Sequence, residues 1–167
     1  MKYALWLLGL IGLAVVGIVV YQYTPRVDQE SNMGIGEGDT VQIVLTKMTD
    51  TDMEFVYVDR EIPKTNVFED MVKSTLEALI AGPTMAEKAQ GLSVAFNAGT
   101  KVNYVRVMGS VLLIDFNSKF DTPMGGSAKV RSIAQSVDRT IRQFPIEGIG
   151  EIQFTINDGE REAVLEP

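Results

Sequence analysis

The stretch that decides the fold is Val102-Asn103-Tyr104-Val105-Arg106-Val107-Met108-Gly109-Ser110-Val111-Leu112-Leu113-Ile114-Asp115-Phe116. Two extended runs, residues 102–107 and 111–116, flank the tight turn Met108-Gly109-Ser110, a pattern that predicts an antiparallel hairpin. The second run sets Val111, Leu112, Leu113 and Ile114 side by side without alternation. A strand wet on one face alternates, whereas one apolar at every position is covered on both faces, so this run is expected in the middle of a sheet.

Helices are predicted on either side of this hairpin. Upstream, Phe68, Met71, Val72, Leu76, Leu79 and Ile80 recur at steps of three and four and form one apolar stripe. Asn66 followed by Glu69 has the spacing of a capping box, and Gly82-Pro83 ends the helix. Residues 84–100 read as a loop. Downstream, Val130, Ile133, Ala134, Val137, Ile141 and Phe144 line one side of a second helix, with Arg131, Gln135, Asp138, Arg139 and Arg142 opposite. Gly125-Gly126-Ser127 opens it, with Ser127 as N-cap. A glycine-rich helix start can also hold an anion, but the Walker spacing is absent.

Residues 149–156 alternate as a half-buried strand, Asn157-Asp158-Gly159 turns the chain, and Ala163-Val164-Leu165 adds a short edge strand. At the other end, residues 40–48 and 54–62 form a hairpin around Thr49-Asp50-Thr51-Asp52. The expected fold is α/β, a two-layer α+β sandwich: a hairpin, then helix-strand-strand-helix-strand, with two helices on one face of a mainly antiparallel sheet.

Before the domain, residues 4–20 are uncharged and apolar, bracketed by Tyr3 and Trp6 on one side and Tyr21 and Tyr23 on the other. At roughly 1.5 Å per residue such a helix nearly crosses a hydrocarbon core of about 30 Å, and Tyr and Trp favour its interfaces. The rival is a cleavable signal peptide behind Lys2, yet no small-x-small site closes the run and no cysteine is present for lipid modification. The chain therefore divides into a transmembrane anchor (1–23), a flexible linker (24–39) holding Pro25 and three alternating glycines, and a domain (40–167). The bilayer is a partner through residues 4–21.

The chain has no cysteine and no histidine, which removes thiol and imidazole nucleophiles, disulfides, zinc sites built on sulfur or imidazole, and the Ser-His-Asp triad. From Val27 onward 13 Lys and Arg stand against 22 Asp and Glu, a net charge of −9. Nucleic acid is excluded as a partner on this ground, since phosphate needs a basic face. Asp50 and Asp52 in the first turn lack the glycine and distal glutamate of a calcium loop. Asp115 at the end of the central strand and Asp121 in the next loop are the carboxylates that suit acid–base or magnesium chemistry, and a strand-end hydrogen-bonding role for Asp115 competes with it. No catalytic, cofactor-binding or metal-ligating residue is assigned.

The runs Leu76-x-x-Leu79-x-x-Gly82-Pro83, Gly91-Leu92-Ser93, Asn97-Ala98-Gly99-Thr100-Lys101-Val102, residues 111–120 and residues 133–144 together resemble the GerMN domain of sporulation and germination proteins. The similarity covers residues 41–165. The proline usual near residues 96–98 is absent, and an anchor stands where many relatives are lipoproteins. The resemblance implies an extracytoplasmic bacterial domain of ring-building-motif type, without catalytic residues or cofactors, in a family some of whose members help assemble an envelope channel. It also orients the anchor, N-terminus inside the cytoplasmic membrane and domain outside, because Lys2 against Arg26 alone decides little. The expected role is a non-catalytic interaction or assembly domain whose partners are other envelope proteins or further copies of itself. The alternatives are a carboxylate-based envelope enzyme and a module binding cell-wall glycan or a small ligand, the latter without a tryptophan in the domain, since Trp6 belongs to the anchor.

Overall fold

The computed structural model describes residues 38–163 apart from 124 and 145–147. The expected anchor, the linker before residue 38, and Val164 and Leu165 lie outside the described residues. Among the described residues no helix is long and apolar enough to cross a membrane.

β1 (Asp39–Met48) and β2 (Met53–Ile62) pair antiparallel along their whole length, from Asp39↔Ile62 to Met48↔Met53. The predicted hairpin is there, a residue longer in each strand. Val41, Ile43 and Leu45 alternate into the core. α1 (Phe68–Ala81) buries Val72, Leu76 and Leu79 completely, as its stripe requires. Gly82 ends it at φ 78°, its N–H donating to the Leu79 carbonyl. The expected Asn66–Glu69 capping box is not formed. The helix begins one residue later, with Val67 as an N-cap that makes no side-chain bond, and Phe68 packs edge-on against Phe144 at 6.3 Å. Tertiary packing of the ring, and not the local cap, sets the first turn.

A capping box does exist, at Thr84 and Glu87. It opens α2 (Met85–Ala89), inside the stretch expected to be a loop. α2 buries none of its residues, so it has no apolar period to betray it. β3 (Leu92–Ser93) follows and pairs with β1 at Thr46 and Lys47.

β4 (Val102–Met108) and β5 (Val111–Phe116) form the central hairpin, with Gly109 at φ 62° in the turn. β5 is buried along its last five residues and flanked on both sides, as its unbroken apolar run demands. α3 (Ser127–Ile141) crosses over to β6 (Glu151–Ile156), which lies parallel to β5, and β7 (Arg161–Glu162) closes the edge. β7 comes before the expected Ala163. The N-cap of α3 is Gly126 and makes no side-chain bond, so Ser127 is the first helical residue and not the cap.

The expected single sheet is two. One has the order β2-β1-β3 and the other β4-β5-β6-β7. The physical reason is at the inner edge of β1. Thr140 Oγ1 accepts from the Val44 N–H at 3.0 Å, and Gln143 both accepts from the Gln42 N–H at 2.7 Å and donates to the Gln42 carbonyl. Side chains of α3 and of Gln143 just past its end thus occupy the groups that another strand would need. α1 then lies against β4 of one sheet and β1 and β2 of the other, so one apolar core serves both. Ser132, Ser136 and Thr140, spaced by four residues, are buried on α3 beside the predicted apolar stripe. Their small polar side chains let the helix approach β1 closely.

Candidate interaction surface

The two carboxylates singled out from the sequence have separate partners. Asp115 is fully buried. Its Oδ1 accepts from Asn103 Nδ2 at 2.7 Å and the Asp158 N–H at 3.0 Å, and its Oδ2 from Thr155 Oγ1 at 2.7 Å and the Gly159 N–H at 3.0 Å. Burial pushes the carboxyl pKa up, but these four donors outweigh it and hold it below the usual carboxylate value. The group ties β4, β6 and the turn after β6 to the central strand. That turn needs the tie, because Asn157, Asp158 and Gly159 all have positive φ. Asp121 instead receives a fork from Arg161, with Nη2 to Oδ1 at 2.7 Å, and this bond is the first cause of its lowered pKa. Both carboxylates are thus already engaged as acceptors.

The first turn also carries ordinary turn chemistry. Thr49 Oγ1 accepts from the Asp52 N–H at 3.0 Å, and Asp52 Oδ1 accepts from the Met53 N–H at 2.7 Å. Among the described residues no three of His, Cys, Asp and Glu are gathered as a metal would require. At the start of α3, Lys129 lies over Gly125 and donates to Asn97 Oδ1 and the Pro123 carbonyl. A lysine covers the glycines that were weighed as an anion site.

Asn97 has a part that residue type alone did not reveal. Its Nδ2 donates to the carbonyls of Lys119 at 2.8 Å, Phe120 at 3.1 Å and Pro123 at 3.1 Å. Asn117 returns the tie, donating to the Gly99 carbonyl and accepting from the Lys101 N–H. The loop before β4 and the loop after β5 are therefore sewn together, beneath the stacked rings of Phe116 and Phe120 at 4.1 Å.

What remains open is surface. A groove of about 650 Å³ runs between the β1–β2 turn and the outward side of α3, lined by Asp50, Asp52, Arg131, Gln135 and Arg139. Its aromatic member is Phe55, and the guanidinium of Arg139 lies over that ring at 4.6 Å. Met48 beside it is 66% exposed. A second, smaller cleft of about 290 Å³ between α3 and β6 has Ala134, Ile152 and Phe154 at its base and the Asp138–Arg142 pair at its rim. The smaller cleft has the apolar-with-charged-border character of protein docking surfaces, whereas the larger groove is mainly polar and charged around Phe55.

The order from α1 onward, with the short elements set aside, is helix-strand-strand-helix-strand, and a model of the family described as sporulation and spore germination (Germane) matches residues 38–162. The chain belongs to that family. Among solved structures, the tandem GerMN domains of the sporulation protein GerM from Bacillus subtilis superpose with a TM-score of 0.58 at 15% identity, covering 78% of this chain and 45% of that one. The first GerMN domain of the same protein alone gives 0.53 at 23% identity, over 75% of this chain and 86% of that one. Both likenesses show the GerMN fold, and the chain spans less than half the length of the tandem. No curated protein matches it. Within the family fold, the signature residues Asn97, Gly99 and Asn117 hold the two loops described above.

Proposed function

We propose that the chain is a membrane-anchored, extracytoplasmic assembly domain of the bacterial envelope, acting in sporulation or germination through protein contacts and not through catalysis. The observation that carries the non-catalytic part is the state of Asp115: a fully buried carboxylate with four donors is a structural clasp and has no lone pair facing a substrate. Membership of the sporulation and spore germination family supports the process. The anchor rests on the apolar run at 4–21.

The experiment is co-purification of the full chain from solubilised membranes of sporulating cells. A defined envelope protein, or further copies of the chain, should come with it at a fixed ratio, and replacing Arg131 and Arg139 by glutamate should reduce the ratio if the α3 groove is the contact. Recovery as a chain with no protein at fixed ratio overturns the reading. A hydrolytic activity lost in an Asp121→Asn variant that still folds would favour the carboxylate enzyme instead.

A further inference from the structure

β2 is an edge strand over all ten of its residues. The direction of its backbone groups follows from β1. Gln42 sends both its N–H and its carbonyl to Gln143, and Val44 sends its N–H to Thr140, all away from β2. Gln42↔Asp59 and Val44↔Tyr57 are therefore non-hydrogen-bonded pairs of the antiparallel ladder. By alternation, the N–H and carbonyl groups of Phe55, Tyr57 and Asp59 face outward. Among the described residues the Asp59 carbonyl alone of these is engaged, by Arg60 Nη1 at 2.9 Å. Other edges carry cover: Thr140 of α3 and β3 cover β1, and Lys73 Nζ reaches the Asn103 carbonyl on β4. Among the described residues the outer edge of β2 carries no such cover, and an open edge this long invites pairing.

We propose that this edge pairs with the same edge of a second copy of the chain, antiparallel about a two-fold axis through Tyr57. The charges select both the occupant and the register. A two-fold register centred on Glu54, Asp59 or Arg60 sets that residue opposite itself and so opposes like charges. Centred on Phe55, Val56 or Val58, no opposite charges of the two strands meet. Centred on Tyr57, Glu54 of each copy faces Arg60 of the other, Val56 faces Val58, and Phe55 faces Asp59. Arg60 keeps its Nε–H for this, since its terminal nitrogens serve Glu87, Gly82 and Asp59. Arg139, stacked on Phe55, adds a positive charge beside the incoming Asp59. Both faces of the joined strands are thus self-complementary, as a closed two-fold interface requires. The product is a continuous six-stranded sheet, β3-β1-β2 meeting β2-β1-β3. The pairing deepens the assembly reading and rests on it for a role in the cell.

The chain has no cysteine, so Tyr57→Cys introduces a single thiol. On the two-fold axis its Cα would lie about 5.5 Å from its counterpart, within disulfide range. Under mild oxidation of the full chain in native membranes, Y57C should form a disulfide-linked dimer at least tenfold faster than V107C, whose thiol would sit exposed on β4 away from the axis. Glu54 is exposed and stands opposite Lys47 on β1, so adding E54Q to Y57C removes both Glu54–Arg60 pairs across the axis without setting a like charge against Lys47, and should slow the link severalfold. Equal rates for Y57C and V107C, or an unchanged rate with E54Q, overturn the pairing. If a distinct envelope protein still co-purifies at fixed ratio in that event, the pairing falls alone and the assembly reading stands.

Discussion

At Asp115 two oxygens serve four donors, and an asparagine there would turn one acceptor into a donor pointing at another donor. Asp115→Asn is expected to cost about 2–3 kcal/mol, the toll of leaving buried donors unpaired, and a urea unfolding midpoint measures it. Glu87 makes a complementary case. The fork from Arg60, first, and the Thr84 N–H hold its carboxyl down to about 2 from an ordinary 4.5. A carboxyl whose pKa is lower folded than unfolded binds fewer protons in the folded state, so its stabilisation is complete above the unfolded value and is lost as pH falls toward the folded one. Asp115 and Asp121 shift in the same direction. Stability should be level above about pH 5 and fall between 4.5 and 2, and Glu87→Gln should flatten part of that slope. Unfolding midpoints across pH test this, and a slope unchanged by the substitution contradicts it.

At the scale of elements, α3 both fills the core and blocks an edge. Its apolar ridge was legible as a 3.6-residue period, while nothing in that period marked Ser132, Ser136 and Thr140 as buried. Thr140 is buried where the Val44 N–H at the inner edge of β1 needs an acceptor, a demand that exists only once the two elements meet. Thr140→Val keeps the shape and removes the acceptor of the Val44 N–H, so a loss of about 1–3 kcal/mol is expected by denaturant unfolding. At the end of α1, Gly82 has φ 78° and the methyl of Val94 would stand 3.0 Å from an added Cβ. Gly82→Ala therefore combines backbone strain with crowding and should cost at least about 1 kcal/mol by the same measurement.

For the whole molecule, the proposed division of labour between an anchor and the domain makes its own test. A reporter fused after residue 167 should be active only if it matures outside the cytoplasm, and removal of residues 1–23 should release the chain from alkali-washed membranes. A reporter active only in the cytoplasm reverses the proposed orientation. The −9 charge from Val27 onward bears on partners at the same scale, since Arg131 and Arg139 face Asp50 and Asp52 across the groove of an otherwise acidic chain.

Hydrophobic period together with turn residues determined the two long hairpins, both long helices, the covered central strand and the glycine stop at Gly82, because each is encoded by near neighbours in the chain. The family motifs were equally legible, although Asn97 as the clasp between two loops was visible only as part of a signature. Tertiary structure decided the rest. It split the expected sheet in two, moved the cap from Asn66 to Val67, raised α2 from a presumed loop, and spent Asp115 on structure. Apart from α2, which the local Thr84–Glu87 box opens, the deciding partner lies far along the chain: Gln143 reaches Gln42, Phe144 meets Phe68, and the Asp158 and Gly159 amides reach Asp115. A pattern read along the chain records the period of each element, and carries no record of which distant hydrogen bond will claim its polar groups.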